Sequence, residues 1–219
     1  MNINELDRLI ENLPAVPGIQ GKEEYFNSVV LLLLIPIQNE YQIVFQKRCA
    51  NIRQGGEISL PGGKLDPELD NTLEMTAVRE TYEELGIPMD KIKIVGRMDT
   101  VMASMGATVD VFVGISEIKP EEMKINPEEV EKVFLMPVSY FKAHPPEAYQ
   151  VMIEIHPSYT DKKTGQEVVL LPSKELGLPE RYHQPWGGFK QPIYAYRTEE
   201  GVIWGITARI ISDFVKKLK

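Results

Sequence analysis

The sequence predicts an α/β fold, and three observations carry that reading. Short β-rich runs recur through the first two thirds of the chain, a helix-period segment sits among them at 71–85, and another closes the chain at about 207–218. At 219 residues the chain has room for one large domain with an appendage, and it is long enough to bury a sizeable core. With 43% apolar and 26% charged residues, it is not a disordered chain.

Each element has its own signature. Residues 3–13 space Leu6, Leu9, Ile10 and Leu13 as one face of a short amphipathic helix, and PAVPGIQG at 14–21 ends it as a linker. Runs 28–37 and 42–48 read as a hairpin turning at Gln38-Asn39-Glu40, the first strand apolar enough to be buried on both faces. The stretch 49–67 is rich in glycine and proline around a short strand at Ile58-Ser59-Leu60. Residues 71–85 favour a helix, with Gly86 as its C-terminal cap. Further strands are expected at 91–100, 107–117 and 130–136. The last helix spaces Ile206, Ile210, Phe214 and Leu218 four apart and ends on Lys216, Lys217 and Lys219, which suits the helix dipole. Residues 143–192, with seven prolines, stand apart as a β-rich insertion. Its runs 149–156 and 166–171 are expected to pair as a hairpin across Asp161–Gly165, its role being a flap, a dimer surface or a wall over the substrate.

Charge and composition exclude several classes. A formal net charge of −8 makes a poor nucleic-acid binder, and a phosphate-rich ligand would need a metal ion or a local basic patch. The longest apolar run, Val29 to Ile35, falls far short of the roughly 20 residues that span a bilayer. The acidic N-terminus does not read as a secretory signal, and a single cysteine, Cys49, points to a reducing compartment. The expectation is a cytoplasmic protein that engages neither nucleic acid nor membrane.

The most informative stretch is 61-PGGKLDPELDNTLEMTAVRETYEELGI-87. On a helix, residues advance about 100° each, so Glu80, Glu83 and Glu84 share a sector of about 100°. Three carboxylates on one face repel one another, and Arg79, four residues before Glu83, cannot neutralise all three. A hard divalent cation with oxygen ligands can. Pro61-Gly62-Gly63 in front of the helix lets backbone approach a ligand closely.

This stretch resembles the signature of the Nudix hydrolase superfamily: Gly, five residues, Glu, seven residues, then Arg-Glu-apolar-any-Glu-Glu-any-Gly-apolar. Gly63 and 79-RETYEELGI-87 match it, with Thr81 in the apolar place. Fifteen residues separate Gly63 from Arg79, where the signature has thirteen, so its first Glu falls on Asn71 or Leu69 depending on the direction of counting, with Glu68 and Asp70 as neighbouring candidates. The resemblance implies an α/β/α sandwich with a mixed β-sheet between helices. It also implies hydrolysis of a nucleoside diphosphate linked to another moiety, with Mg²⁺ or Mn²⁺ on Glu80, Glu83 and Glu84 and with Arg79 orienting the carboxylates. In the family's common Glu-Val-x-x-Val-Phe stretch, Glu129 is the matching glutamate and a candidate catalytic base; homodimerisation is an expectation by analogy alone.

Upstream, 43-IVFQKRCANIRQGGEISLPGG-63 looks like the segment that marks the coenzyme A diphosphatase branch, through Arg48, Arg53, Gly56 and Pro61-Gly62-Gly63; 202-VIWGITARII-211 resembles that branch's C-terminal run. The implied substrate is coenzyme A, with Arg48, Arg53, Gly62 and Gly63 as binding residues. Lys47, Arg48 and Arg53 form a basic cluster in an acidic chain, and arginine suits bidentate phosphate contacts, although pairing with Glu57 would also explain them. The same chemistry would serve an ADP-ribose or dinucleotide pyrophosphatase, and a non-catalytic nucleotide sensor is the third reading. His144, His156 and His183 lack metal-ligand spacing, Trp204 reads as packing, Tyr182 with Trp186 is a weak candidate for stacking an adenine, and Cys49 reads as a small packing residue rather than a nucleophile.

Overall fold

The computed structural model describes residues 3–104 and 106–218, which leaves Lys219 of the predicted terminal helix outside the described residues. In chain order the elements are α1 (Ile3–Asn12), β1 (Phe26–Ile37), β2 (Glu40–Arg48), β3 (Ile58–Ser59), β4 (Gly62–Lys64), α2 (Leu73–Leu85), β5 (Lys93–Arg97), β6 (Val101–Ala103), β7 (Ala107–Ile115), β8 (Val130–Pro137), α3 (Val138–Ala143), β9 (Glu147–Ile155), β10 (Ser158–Thr160), β11 (Glu167–Val169), β12 (Trp186–Thr198), β13 (Gly201–Trp204) and α4 (Gly205–Lys216). They fall into two compact units, Met1–Gln46 with Leu60–Leu135, and Lys47–Ser59 with Met136–Lys219. Among the described residues no helix is long and apolar enough to cross a membrane.

The first unit is built on a mixed sheet centred on β1. The tight turn at Gln38 and Asn39, both at positive φ, returns the chain into β2, which runs antiparallel to β1. Along the rest of its length β1 pairs antiparallel with β4 and parallel with β7, and β5 and β6 flank β7 antiparallel. Leu31 to Ile35 are buried without a break, as expected of a central strand covered on both sides. One face carries Val29, Leu31, Leu33 and Ile35, packed with Val44, Phe112 and the inward side of α2, Ala77, Val78 and Leu85. Two of the polar side chains buried in this unit have different outcomes. Thr81, fully buried in α2, donates its hydroxyl to Ala77 O at 2.7 Å, whereas the amide of fully buried Gln46 has no hydrogen-bond partner.

Both ends of α2 are fixed locally. Thr72 accepts from Met75 N at 3.1 Å as the N-cap. Gly86 turns left-handed (φ 66°) as the C-cap and donates to Tyr82 O at 2.8 Å. The chain then comes back past that end. Lys124 N donates to Leu85 O and Asn126 N to Glu84 O, both at 2.9 Å, satisfying carbonyls the helix leaves open.

The second unit holds a three-stranded antiparallel sheet in the order β13-β12-β9, with α4 packed on β12 and β13 through buried Ala208 and Ile211, and with Phe141 of α3 set edge-on to Tyr196 at 5.1 Å. Two expectations need correcting. The run expected at 149–156 does not pair across Asp161–Gly165; β9 pairs along its whole length with β12, from Trp186 to Ala195, and that turn joins only β10 and β11. A nine-residue strand needs a partner of comparable length, and the three residues of β11 cannot supply it. Leu218, placed with the apolar face of the last helix, lies beyond Lys216 and is 47% exposed.

Gly86→Ala forces a side chain onto a left-handed residue whose Cβ would lie 2.5 Å from Lys124 O. We expect it to destabilise the protein by about 2 kcal/mol or more, read as a shift in the urea midpoint without a change in slope.

Candidate active site

The site is organised by α2 and the short strand β4. The helix faces β4, and the carboxylate of Glu80 fills the space above Gly63 that a Cβ would occupy. Any side chain at 63 would displace it. At the preceding position, Gly62, φ is 149°, and a Cβ would run into Val29 and Val30 of β1. The backbone N–H of Gly62 donates to Glu84 Oε2 at 2.8 Å, and Glu84 is only 2% exposed. The two glycines thus bring main chain into contact with two of the three predicted carboxylates.

Arg79 is the hub. Its Nε and Nη2 donate to Asp70 Oδ1 and Oδ2 at 2.9 and 2.8 Å, its Nη2 meets Glu80 Oε1 at 2.9 Å, and its Nη1 donates to Glu83 Oε2 at 2.8 Å. The i, i+4 pair with Glu83 is the one the sequence predicts. Asp70 resolves the position left open by the altered spacing: it is buried and grips Arg79 through both oxygens, while Glu68 and Leu69 are exposed. Two extra residues in the loop are matched by a side chain one methylene shorter, turned inward from just before the helix.

Electrostatics follow from this wiring. The Arg79 hydrogen bonds hold the Asp70 carboxyl below the usual carboxylate range, and the same carboxylates make Arg79 harder still to deprotonate. Burial pushes the Glu80 carboxyl up against the pull of Arg79, and the charges of Glu83 and Glu129 push the same way. Glu129, half-buried beside β8 and accepting from Asn126 Nδ2 at 3.3 Å, therefore acts on the same carboxylate set from the returning chain. A hard divalent cation fits this donor set: all are oxygen anions, and one of them is strained by burial as a charge. Among the described residues no three such side chains form a group that could hold a metal ion; Glu80 and Glu83 are held by Arg79 and Glu84 by the Gly62 N–H.

Arg48 and Arg53 belong to the second unit. Arg48 Nε donates to Arg53 O at 3.2 Å, and burial pushes the Glu57 carboxyl up against the smaller, opposing pull of the Arg48 charge. Tyr182 and Trp186 meet edge-to-face at 5.3 Å, and His144 stacks on Tyr140. The sequence reading missed Asp110, the one charge in the apolar strand ATVDVFVGI, which binds Lys22 and Arg97; that isolation was the available signal.

Because its folded pKa is depressed, the Asp70 charge stabilises the native state above about pH 4, and the contribution disappears as pH falls through the folded value. Asp70→Asn is expected to lose about 2 kcal/mol or more at pH 7 and to show a flatter loss of stability on acidification, measured by urea unfolding across pH.

Comparison with known proteins gives the family. The NUDIX domain matches residues 27–158, more than half of the chain. The human mitochondrial coenzyme A diphosphatase NUDT8 is 32% identical over 117 residues, 52% of this chain and 49% of that protein, so the chain spans about half the length of this relative. The uncharacterized Nudix hydrolase NudL of Yersinia pseudotuberculosis is 30% identical over 223 residues, covering 97% of this chain and 92% of its own length. Among solved structures, the Nudix hydrolase RenU of M. smegmatis is similar with a TM-score of 0.45 and 22% identity, over 55% of this chain and 78% of RenU. With its characteristic run lying on α2 and a match over most of its length, the chain belongs to the NUDIX domain family and is a Nudix hydrolase.

Proposed function

We propose that this Nudix hydrolase cleaves the diphosphate of coenzyme A or its thioesters, giving 3′,5′-ADP and 4′-phosphopantetheine. The reaction rests on the carboxylates of α2 set against Gly62 and Gly63. The substrate rests on the 43–63 segment and on the similarity to a coenzyme A diphosphatase.

Glu80, Glu83 and Glu84 would hold Mg²⁺ or Mn²⁺. An ion bound there would neutralise the diphosphate and would supply a water of lowered pKa. The chain's own residues do the rest. Asp70 fixes Arg79, and Arg79 holds Glu80 and Glu83 in register on one helix face. The Gly62 N–H orients the Glu84 carboxylate, so its other oxygen keeps a set direction. Glu129, whose charge already reaches Glu80, accepts the proton of the attacking water. The absence of side chains at 62 and 63 lets their backbone lie against the Glu80 and Glu84 carboxylates. Arg48 and Arg53 are cations suited to phosphate oxygens.

The test is incubation with Mg²⁺ or Mn²⁺ and, separately, coenzyme A, ADP-ribose and NADH, with products separated by chromatography. Release of 3′,5′-ADP well above AMP from the other two is expected. AMP from ADP-ribose or NADH instead would retain the chemistry and overturn the substrate, and no turnover of any would favour a nucleotide sensor. Glu83→Gln and Glu84→Gln are each expected to lower turnover by more than about 100-fold with the fold intact by circular dichroism; near-normal rates would remove them from the reaction.

A further inference from the structure

One polar cluster in the first unit is not used by the chemistry above. Asp110 lies in the middle of β7 with its side chain 2% exposed, and three groups converge on it. Arg97 Nη2 and the Thr100 hydroxyl donate to Oδ1, both at 2.5 Å, and Lys22 Nζ donates to Oδ2 at 3.1 Å. Burial alone would raise the Asp110 pKa; these hydrogen bonds hold it below the ordinary range, so the carboxylate is charged. One anion thus gathers two cations, and the cluster keeps a net positive charge.

Neither cation is consumed. The ammonium of Lys22 spends one of its three donors on Asp110. Arg97 uses Nη2 alone, on Asp110 and Thr100, and its guanidinium stands over the Phe112 ring at 5.7 Å. The two side chains remain 35% and 45% exposed. A purely structural clamp would seal its charges inside; this one presents a fixed pair of cations to solvent, with the cost of ordering two long side chains already met.

Placement gives the cluster its meaning. Asp110 is the direct partner of Val29, and Val29 of Gly63, so the three lie on one rung of the sheet and share the face on which α2 packs. Gly63 is the position covered by the Glu80 carboxylate. With strands about 4.8 Å apart, the backbones of Gly63 and Asp110 lie roughly 10 Å apart across the sheet, a separation on the scale of a phosphorylated nucleoside.

We infer that Lys22 and Arg97, positioned by Asp110 and Thr100, form an anion subsite for a phosphomonoester of the substrate remote from the scissile diphosphate. Resting on the coenzyme A reading, that group is the 3′-phosphate.

The test separates the subsite from the substrate assignment by measuring binding as well as turnover. Calorimetry of 3′,5′-ADP and 5′-AMP on the wild-type protein should show about tenfold tighter binding of the former, the scale of one or two charge-assisted hydrogen bonds. Arg97→Gln and Lys22→Gln should each collapse most of that preference while 5′-AMP affinity stays unchanged, and Arg97→Lys should restore part of it. In turnover, both Gln variants should raise KM for coenzyme A with kcat unchanged, and leave KM for dephospho-coenzyme A unaltered. A wild-type protein without the preference, a preference that survives both substitutions, or its loss in Arg48→Gln/Arg53→Gln alone would overturn the subsite. Absence of coenzyme A hydrolysis alongside a preference that collapses in Arg97→Gln would remove the substrate reading and leave the subsite standing.

Discussion

Placing several carboxylates on one face of a helix stores repulsion, and in this protein a single guanidinium answers for it. Arg79 touches Asp70, Glu80 and Glu83 at once, and only Asp70 grips it through both oxygens. That bidentate anchor comes from outside the helix, so Arg79 is tied to the loop before α2 as well as to the residues it serves. The arrangement keeps the face assembled without a metal ion, but it also turns carboxylates toward Arg79 that would otherwise face a ligand. Should Glu80 and Glu83 hold an ion as proposed, it would compete with the arginine for the same oxygens, while the buried Asp70 keeps Arg79 itself in place.

The sheet supplies the other half of the design. β4 is three residues long, yet its pairing with β1 fixes Gly62 and Gly63 opposite Val30 and Val29, where main chain approaches the helix without a side chain between. The same rung continues into β7 at Asp110. Strand register thereby sets the spacing between an anionic patch and a cationic one to within the fixed separation of neighbouring strands.

Much of this was legible in the sequence because it is local. Helix-period spacing and Gly86 placed α2 and its end, and the Arg79–Glu83 pair follows from an interval of four residues. The turn at Gln38-Asn39 and the apolar run of β1 were equally readable. What escaped was non-local. Whether Glu68, Leu69, Asp70 or Asn71 faces Arg79 depends on how a loop of altered length folds back. The grouping of Lys22, Arg97 and Asp110 spans 88 residues of chain and no short motif. The strand at 149–156 was foreseen but its partner was not, because alternation identifies a strand without saying which other strand it meets. Gln46 is the residue that sequence logic handles worst: a fully buried amide without a partner, on the same strand as apolar Val44 and Phe45.

The parallel pairing of β1 with β7 has a consequence for how the chain reaches this structure during synthesis. Phe26 meets Ala107, and the pairing extends to Leu34 and Ile115, so the central strand stays incomplete until about 80 further residues have been made. At roughly 5–20 residues per second, that is an interval of about 4–16 s. Through it, the β1–β2 hairpin displays the most apolar segment of the protein with one edge open. Contacts so distant in sequence also slow folding once the chain is free. A nascent chain of this design carries that open edge over a stretch of synthesis that begins with its first hairpin and ends when β7 emerges.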